Sequence, residues 1–342
     1  MDMPVRVGSV TLKNPLVLAS AGYAATASNI KKHITKGFGA VVCKTVTAKA
    51  LAGAPLPRIF WYDPEHKTML SGAEALKNPG VDKMAEAIAA SRGLADAERC
   101  LVVGSVSGGS VEEIGDNAAK LSEAGAHLIE IDMACPSTGP HLGPEYSQLG
   151  KYWAETSERA ASVIAEVRRR VNSPVWIKAP LGRLLNEEYI KALDQTCPPD
   201  AYSYVGGRMP CLVIDTDTGE PLLPGNVRLM MEKKIPISPM VTGPVRPSTV
   251  FHTAYLANLT KVPLIPTGGL TTGDDIVQAI MAGASAAGIC AAVYRDPDAS
   301  LKILADLEAY AEAKGLASFE SIRGKVLEHL PAPPLLKVQT VW

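Results

Sequence analysis

The segment LIEIDMACPSTGP, residues 128–140, holds the side chains best suited to chemistry. A thiol has a reference pKa of about 8.5, so a cysteine in a polar site can exchange a proton near neutral pH. Cys135 is therefore a candidate general acid/base or nucleophile, with a purely structural Cys-Pro turn as the alternative. His141 follows six residues later and could activate a thiolate, but no further His or Asn pattern supports a cysteine hydrolase.

Two lysines each end a strongly apolar stretch: Lys44 ends AVVCK and Lys178 ends PVWIK. An unpaired buried ammonium is costly, so each lysine must reach water or meet an acceptor. At the carboxyl ends of parallel strands, both side chains would point toward the mouth of a site. There they could bind a carboxylate or the electron-rich edge of a cofactor; the alternative is a pair of surface lysines.

A glycine pair in the segment PLIPTGGLTTGDD suggests an anion-binding turn. Without a Cβ atom, Gly268 and Gly269 let backbone N–H groups approach a phosphate closely. Cys290 and Ala291 end the next apolar stretch, and barrels often hold phosphate between their last two strand–helix loops. Either flavin mononucleotide (FMN) or a phosphorylated substrate would fit, and a simple tight turn is the alternative.

The elements that must position these residues alternate between short apolar runs and longer amphipathic stretches. Continuously apolar runs are typical of parallel strands that are covered on both faces. Eight strands, each followed by a helix, predict a single (β/α)₈ TIM barrel over residues 1–342, whereas a doubly wound sheet usually closes with fewer units. The predicted strands are 16–19, 40–44, 101–105, 128–131, 175–178, 201–204, 264–267 and 286–290.

The predicted helices follow these strands, at 28–36, 81–92, 111–124, 155–171, 186–195, 248–259, 273–282 and 299–314. Ser28, Asn186 and Ser248 are the predicted N-caps, and glycines follow several helix ends where a left-handed residue is favoured. Three long insertions, 45–80, 136–152 and 205–247, follow the second, fourth and sixth strands. They should emerge at the carboxyl face, where barrel enzymes place their sites.

Composition excludes several other classes of function. The 34 Lys+Arg and 35 Asp+Glu residues give a formal charge of −1, so no broad electrostatic attraction to nucleic acid or an anionic membrane is expected. The six cysteines form no CxxC pair, which argues against a disulfide framework and a Cys-type zinc site; we expect no metal. No apolar run is long enough for a membrane span and no secretory signal is visible, so a cytoplasmic protein is expected.

Taken together, the motifs resemble the dihydroorotate dehydrogenase family, FMN-containing (β/α)₈ barrels, and its soluble class 1A branch in particular. The similarity extends over nearly the whole chain. It rests on the order of the segments NPLVLASAGY, GAVVCKTVT, LPR, IEIDMACPS, VWIKAP, LVIDTDTGEPLL, TGPVRP, TGGLTTGDDIVQAIMAGA and FESIRGKVLEHL.

The resemblance implies roles for individual residues. Cys135 would be the acid/base while hydride passes between a substrate carbon and flavin N5, with Lys44 and Lys178 at the polar edges of the flavin. A small-molecule substrate and a homodimer are also implied. FMN would be bound by Ala19, Ser20, Gly22, Lys44, Thr45, Asp132, Lys178, Thr242, Gly243, Thr267, Gly268, Gly269, Cys290 and Ala291.

The departures from the family pattern concern the substrate. Members bind orotate through several asparagines, and the resemblance places Asp132, Ser137 and Ser71 as the substrate-binding residues. Asp132 and Ser137 stand where the family has Asn, and the segment around Ser71 contains no Asn. A carboxylate in place of an amide removes two N–H donors and should repel the carboxylate of orotate. We therefore expect a neutral or cationic substrate with an N–H donor facing Asp132. The alternatives are genuine dihydroorotate oxidation, a flavin-free Schiff-base enzyme using Lys178, and a flavoprotein without activity.

Overall fold

The computed structural model describes residues 3–53, 56, 59–61, 65–67, 70–72, 74–135, 147–207, 209–210, 216–219, 240–242 and 245–330. Its centre is a closed barrel of eight parallel strands in chain order, with the fifth strand paired to the sixth. This confirms the predicted TIM barrel, and all eight predicted strands are present. The strands are β1 (Leu16–Leu18), β2 (Ala40–Val42), β3 (Leu101–Val106), β4 (Leu128–Asp132), β5 (Val175–Lys178), β6 (Ala201–Val205), β7 (Leu264–Thr267) and β8 (Ala287–Ile289).

A long helix follows each strand, as the sequence predicts, and covers the outside of the barrel. The strands are therefore buried on both faces, and every residue of β1 and β2 is buried, as their continuous apolar sequences require. The helices are α1 (Ala27–Ile34), α2 (Val81–Ala97), α3 (Val111–Glu123), α4 (Ser157–Arg170), α5 (Glu187–Thr196), α6 (Arg246–Leu259), α7 (Gly273–Met281) and α8 (Ala299–Lys314).

Two of the three predicted N-caps are wrong. Asn186 caps α5 as expected, with its side chain accepting the Tyr189 N–H. For α1 the cap is Thr26, two residues before Ser28. Helix α6 starts two residues before Ser248 because Pro247 lies in its first turn, where a proline loses no helical hydrogen bond.

Two insertions meet above the barrel in a four-stranded antiparallel sheet. Leu70–Gly72 of the first insertion pairs with Met240–Thr242 of the third. Ile59–Trp61 and Met209–Pro210 form the two edges of this sheet. Because both insertions leave the carboxyl ends of barrel strands, the sheet lies on the face that carries the candidate site. In the described part of the chain, no helix is both long and apolar enough to cross a membrane.

The barrel interior is partly polar. Glu130 of β4 is hydrogen-bonded to Ser105 of the adjacent β3 and to Ser203 of β6, which is separated from β4 by β5. A contact between strands that are not neighbours must cross the inside of the barrel. Glu130 and its partners therefore lie beneath the mouth, and the side chains at the carboxyl ends of the strands lie above them.

Candidate active site

The turn that carries Cys135 is fixed by the last residue of β4. Asp132 accepts hydrogen bonds at Oδ1 from the backbone N–H groups of Ala134 and Cys135, both at 2.9 Å. An aspartate that bonds to the backbone two and three residues ahead stabilises a turn in this way. The half-buried thiol of Cys135 is thereby held at the end of the strand, facing the mouth.

Lys178 joins Asp132 and Cys135 into one cluster. The β4–β5 register places Asp132 beside Lys178, and Lys178 Nζ lies 3.1 Å from Asp132 Oδ2 and 3.4 Å from Cys135 Sγ. Burial opposes ionisation of Asp132, but the charge of Lys178 and several hydrogen bonds outweigh it and hold the pKa of Asp132 below its ordinary value. An ion pair therefore stands beside the thiol, with an ammonium donor aimed at the sulfur.

A chain of hydroxyl groups supports this ion pair from the neighbouring strands. Thr45 donates from Oγ1 to Asp132 Oδ2 at 2.9 Å. Thr45 Oγ1 also lies 2.8 Å from Ser105 Oγ and 3.2 Å from Ser20 Oγ. Of the predicted site residues, Ser20, Thr45, Asp132 and Lys178 are thus in direct contact. Sequence reasoning did not include Ser105, although its place in a buried strand ending at the same face was a usable signal.

The second lysine is paired with a residue that the sequence analysis missed. Lys44, only 7% exposed, donates to Glu74 Oε2 at 2.8 Å. Glu74 comes from the first insertion and also covers Gly22, where an added Cβ would lie 3.1 Å from Glu74 Oε1. Gly22 and Lys44, both predicted site residues, are therefore neighbours, and Glu74 is an additional member of the site.

The predicted anion-binding turn has the geometry that its glycines suggest. Gly268 and Gly269 have φ angles of 110° and 72°, a region that favours glycine. A Cβ on Gly269 would lie 2.4 Å from the backbone nitrogen of Arg246, so the turn packs closely against the start of α6. Within the described residues, the N–H groups of Gly268 and Gly269 donate to no acceptor. They are thus open to an anion.

Neighbouring strand ends complete this part of the site. Thr267 of β7 pairs with Gly288 of β8, so Cys290 and Ala291 follow β8 next to the glycine turn. The Cys290 thiol is buried, and burial raises its pKa above the ordinary value, so this thiol stays protonated at neutral pH. Cys290 is therefore a lining residue, whereas Cys135 has the lysine contact that acid/base chemistry needs.

These residues fit FMN. Open N–H groups at a Cβ-free turn suit a phosphate, and the two buried lysines suit the polar edges of a flavin ring. The hydroxyl groups of Ser20 and Thr45 are further hydrogen-bonding groups near the first strand. The donor set thus matches both halves of the cofactor.

Five predicted or noted residues have no described side chain: Ser71, Ser137, His141, Thr242 and Gly243. Ser137, His141 and Gly243 lie outside the described residues. Thr242 lies in the four-stranded antiparallel sheet above the barrel, where its backbone pairs with Leu70, next to Ser71. The roles predicted for Ser71, Ser137, Thr242 and Gly243 stay predictions.

The fold and the site together define the class: a (β/α)₈-barrel enzyme with a glycine turn at the end of β7 and a thiol held beside a lysine. The family model described as dihydroorotate dehydrogenase matches residues 3–195 and 227–310, which is more than half of the chain. The chain belongs to the dihydroorotate dehydrogenase family. It is accordingly an FMN-dependent oxidoreductase that acts on a CH–CH bond.

Similar proteins extend over nearly the full length. The chain is 29% identical over 326 residues to "Dihydroorotate dehydrogenase B (NAD(+)), catalytic subunit" of Desulforudis audaxviator, covering 94% of this chain and 96% of the relative. A protein of the same name from Petrotoga mobilis is 24% identical, with 95% and 99% covered. A crystal structure of DHODH from Eimeria tenella in complex with ferulenol has a TM-score of 0.73 at 16% identity, covering 96% of this chain and 89% of its own, and supports the fold. These two sequence relatives carry the B name, so the resemblance to the class 1A branch stays a prediction.

Proposed function

We propose that the enzyme interconverts a carbon–carbon single and double bond next to a carbonyl or amide group, with Cys135 as the acid/base. The observation that supports this most directly is the position of the Cys135 thiol. Its sulfur lies 3.4 Å from Lys178 Nζ, and its backbone is fixed by Asp132. A positioned thiol with a cationic neighbour is suited to exchanging a proton with a carbon acid.

In this proposal the residues of this chain move the proton and position the substrate. Bound FMN supplies a hydride acceptor, and the residues of this chain orient the substrate against it. Cys135 Sγ takes the proton from the carbon adjacent to the one that loses hydride. Lys178 Nζ stabilises the negative charge that develops nearby, while Asp132 keeps Lys178 and the turn in place. The N–H groups of Gly268 and Gly269 hold the cofactor phosphate.

Cys135→Ala tests the acid/base role. The variant should retain FMN absorbance, but flavin reduction by substrate in stopped-flow should slow by roughly a hundred- to ten-thousandfold, the usual contribution of a general base. Cys197→Ala is the matched control, because Cys197 is also half-buried but contacts the surface residue Arg168. An unchanged rate for Cys135→Ala would rule out the proposed role.

We further propose that the substrate carries no carboxylate. Both lysines of the site already have carboxylate partners, Lys44 with Glu74 and Lys178 with Asp132. Opposite unit charges 4 Å apart attract by about 4 kcal/mol at an effective dielectric constant of 20, and like charges repel equally. An incoming carboxylate would thus meet nearly equal attraction and repulsion at each pair. A neutral cyclic amide or enone avoids this conflict.

Dihydroorotate and dihydrouracil, which differ only by a carboxylate, separate this proposal from the alternative. We expect the uncharged ring to reduce the flavin faster. Saturable reduction by dihydroorotate, with dihydrouracil inert, would instead establish the alternative, genuine dihydroorotate oxidation. A direct contact between Asp132 and a substrate N–H stays a prediction, since both oxygens of Asp132 already accept hydrogen bonds from the protein.

The remaining alternatives gain no support. A Schiff base requires an uncharged lysine amine, whereas Lys178 forms an ion pair with Asp132, which favours its charged form.

We propose a cytoplasmic homodimer on the basis of the family resemblance. The net charge of −1 gives no attraction to nucleic acid or to anionic membranes. Sedimentation velocity of the FMN-loaded enzyme tests the dimer, and a single monomeric species would contradict it.

A further inference from the structure

Glu130 is a buried acidic residue to which the proposed mechanism gives no role. It is 3% exposed and lies two residues before Asp132 on β4, so both side chains point to the same face of the strand. Glu130 Oε2 accepts from Ser203 Oγ at 2.6 Å, and Glu130 Oε1 lies 3.3 Å from Ser105 Oγ. A carboxyl group thus lies inside the barrel, directly beneath the ion pair that holds Cys135.

Oxygen-to-oxygen contacts connect Glu130 to Asp132 without a gap. Glu130 contacts Ser105 Oγ, which lies 2.8 Å from Thr45 Oγ1, and Thr45 Oγ1 lies 2.9 Å from Asp132 Oδ2. Ser203 adds a branch at Glu130, and Ser20 adds a branch at Thr45 at 3.2 Å. The network therefore contains five contacts between oxygen atoms.

Counting protons decides the charge of Glu130. Each contact needs one proton, but the four hydroxyl groups of Ser20, Thr45, Ser105 and Ser203 supply only four. If Glu130 were ionised, Ser105 would donate to Glu130 and Thr45 to Asp132. The closest pair of hydroxyl oxygens, 2.8 Å apart, would then have no proton between them. If Ser105 donated to Thr45 instead, its 3.3 Å contact with Glu130 would have none, so one contact stays without a proton either way.

A fifth proton on Glu130 supplies one proton to each of these five side-chain contacts; Ser203 Oγ also lies 3.4 Å from the carbonyl oxygen of Ile177. Glu130 Oε1 then donates to Ser105, Ser105 donates to Thr45, and Thr45 donates to Asp132. Ser203 donates to Glu130 Oε2, and the remaining hydroxyl group donates to Thr45. All donors in this arrangement point along one direction, toward Asp132.

The charges that face Glu130 agree with this count. The groups involved are Lys178 on β5, Asp132 on the same strand, and the hydroxyls of Ser105 and Ser203. Burial raises the pKa of Glu130 above its ordinary value and the charge of Asp132 acts in the same direction, which outweighs the opposite effects of Lys178 and of the hydrogen bonds from Ser203 and Ser105. Because Lys178 is already paired with Asp132, a second carboxylate beneath it would have no cation of its own.

We infer that Glu130 is a neutral carboxylic acid in the folded enzyme, and that it is a positioning residue for the site above. Through Ser105 and Thr45 it directs a hydrogen bond onto Asp132, and as a neutral group it adds no second negative charge beneath the Asp132–Lys178 pair that contacts Cys135. The protonation of Glu130 does not depend on the substrate. Its effect on Cys135 rests on the proposed function.

Infrared difference spectroscopy at neutral pH tests the protonation directly. The spectrum of wild-type minus Glu130→Gln holoenzyme should contain the carbonyl stretch of a protonated carboxylic acid, shifted in D₂O. Glu187→Gln is the matched control, since Glu187 is exposed and paired with Lys191, and its difference spectrum should contain carboxylate bands instead. Carboxylate bands for Glu130→Gln would overturn the inference, whatever the substrate proves to be.

A pair of variants tests the positioning role. Glutamine can accept from Ser203 and donate to Ser105 as the neutral acid does, whereas alanine leaves both hydroxyl groups without that partner. The rate of flavin reduction by substrate should therefore be at least tenfold higher in the Glu130→Gln enzyme than in the Glu130→Ala enzyme, at equal FMN content. Equal rates for the two variants would contradict the positioning role. If the alanine variant does not fold, Glu130→Asp takes its place, because its shorter side chain cannot reach both hydroxyl groups.

Discussion

Replacing Asp132 by asparagine is the sharpest perturbation of the site, because it removes a charge and leaves the shape unchanged. The asparagine oxygen can still accept the two backbone N–H groups that Asp132 Oδ1 now accepts. Its amide nitrogen would replace Oδ2, where Lys178 and Thr45 both donate. Three donors would then meet at one point, and the ion pair would be lost.

The expected cost follows from burial. Asp132 is 1% exposed and the side chain of Lys178 is 15% exposed. Removing one partner of a buried pair typically costs about 3–5 kcal/mol. We expect the lower end, about 3 kcal/mol, because Lys178 keeps some solvent contact and its second partner, Cys135. At about 1.4 kcal/mol per factor of ten, this raises the unfolded population roughly a hundredfold.

Urea unfolding of the apoprotein, followed by circular dichroism, measures this cost without the cofactor. Asp82→Asn is the control, because Asp82 pairs with Lys120 and both side chains are at least half exposed. Exposed pairs are worth about 0–1 kcal/mol, so the control should change the midpoint little. If Asp132→Asn costs no more than Asp82→Asn, then the ion pair beside Cys135 is not the buried, compensated pair argued above.

Three further predictions follow from the same contacts. Gly269→Ala should destabilise the protein and lower its FMN content. Gly269 has a φ of 72°, and a Cβ there would lie 2.4 Å from the backbone nitrogen of Arg246. The ratio of flavin to protein absorbance measures the loss of FMN. Gly93→Ala, where a Cβ meets nothing within 4 Å, is the control and should be neutral or stabilising. Because the pKa of Asp132 is lowered by folding, its contribution to stability is complete above the unfolded pKa of about 4 and is lost as pH falls through the folded value. The wild type should therefore lose more stability than Asp132→Asn does between pH 5 and strongly acidic pH, and parallel losses in urea titrations would contradict the shift. Finally, Glu74→Gln combined with Asp132→Asn removes the carboxylate partners seen for the two lysines and should strengthen orotate binding at low salt, with a smaller gain at high salt. Titration of the flavin absorbance with orotate measures the affinity, and an unchanged affinity would contradict the prediction.

The strands and their order were predictable from sequence because parallel strands buried on both faces are short, continuous apolar runs. All eight barrel strands overlap their predicted ranges. Helix starts were less predictable, since Ser28 and Ser248 are plausible caps in isolation but Thr26 and Pro247 lie nearer the true boundaries. Local sequence identifies a helix start only to within a few residues when several capping residues lie close together.

The site was predictable only in part, for a different reason. Cys135, Lys44 and Lys178 could be identified because each lies at the carboxyl end of a barrel strand or within three residues after it. Their partners could not, because strand register and the path of an insertion decide which carboxylate meets which lysine. The Lys178–Asp132 pair depends on the β4–β5 register, and the Lys44–Glu74 pair connects residues 30 positions apart.

Glu130 is an intermediate case, because a signal was present in the sequence. An acidic residue in the apolar run LIEID, two positions before Asp132, must share the inward face with it. A buried carboxyl group needs hydrogen-bond partners. The partners themselves, Ser105 and Ser203, are ordinary serines in apolar strands and become recognisable only when the barrel closes.

The two ion pairs of the site, Asp132 with Lys178 and Glu74 with Lys44, have one common effect. Taken alone, Asp132 adds a negative charge to the site, and Glu74 adds another. Taken with Lys178 and Lys44, each carboxylate cancels a cation, so the described site gains no net charge and loses its attraction for an anion. An enzyme that binds an acidic substrate would need at least one of these cations uncompensated. Under the proposal that the substrate carries no carboxylate, the two carboxylates act on the substrate through the two lysines and leave the thiol and the glycine turn in place.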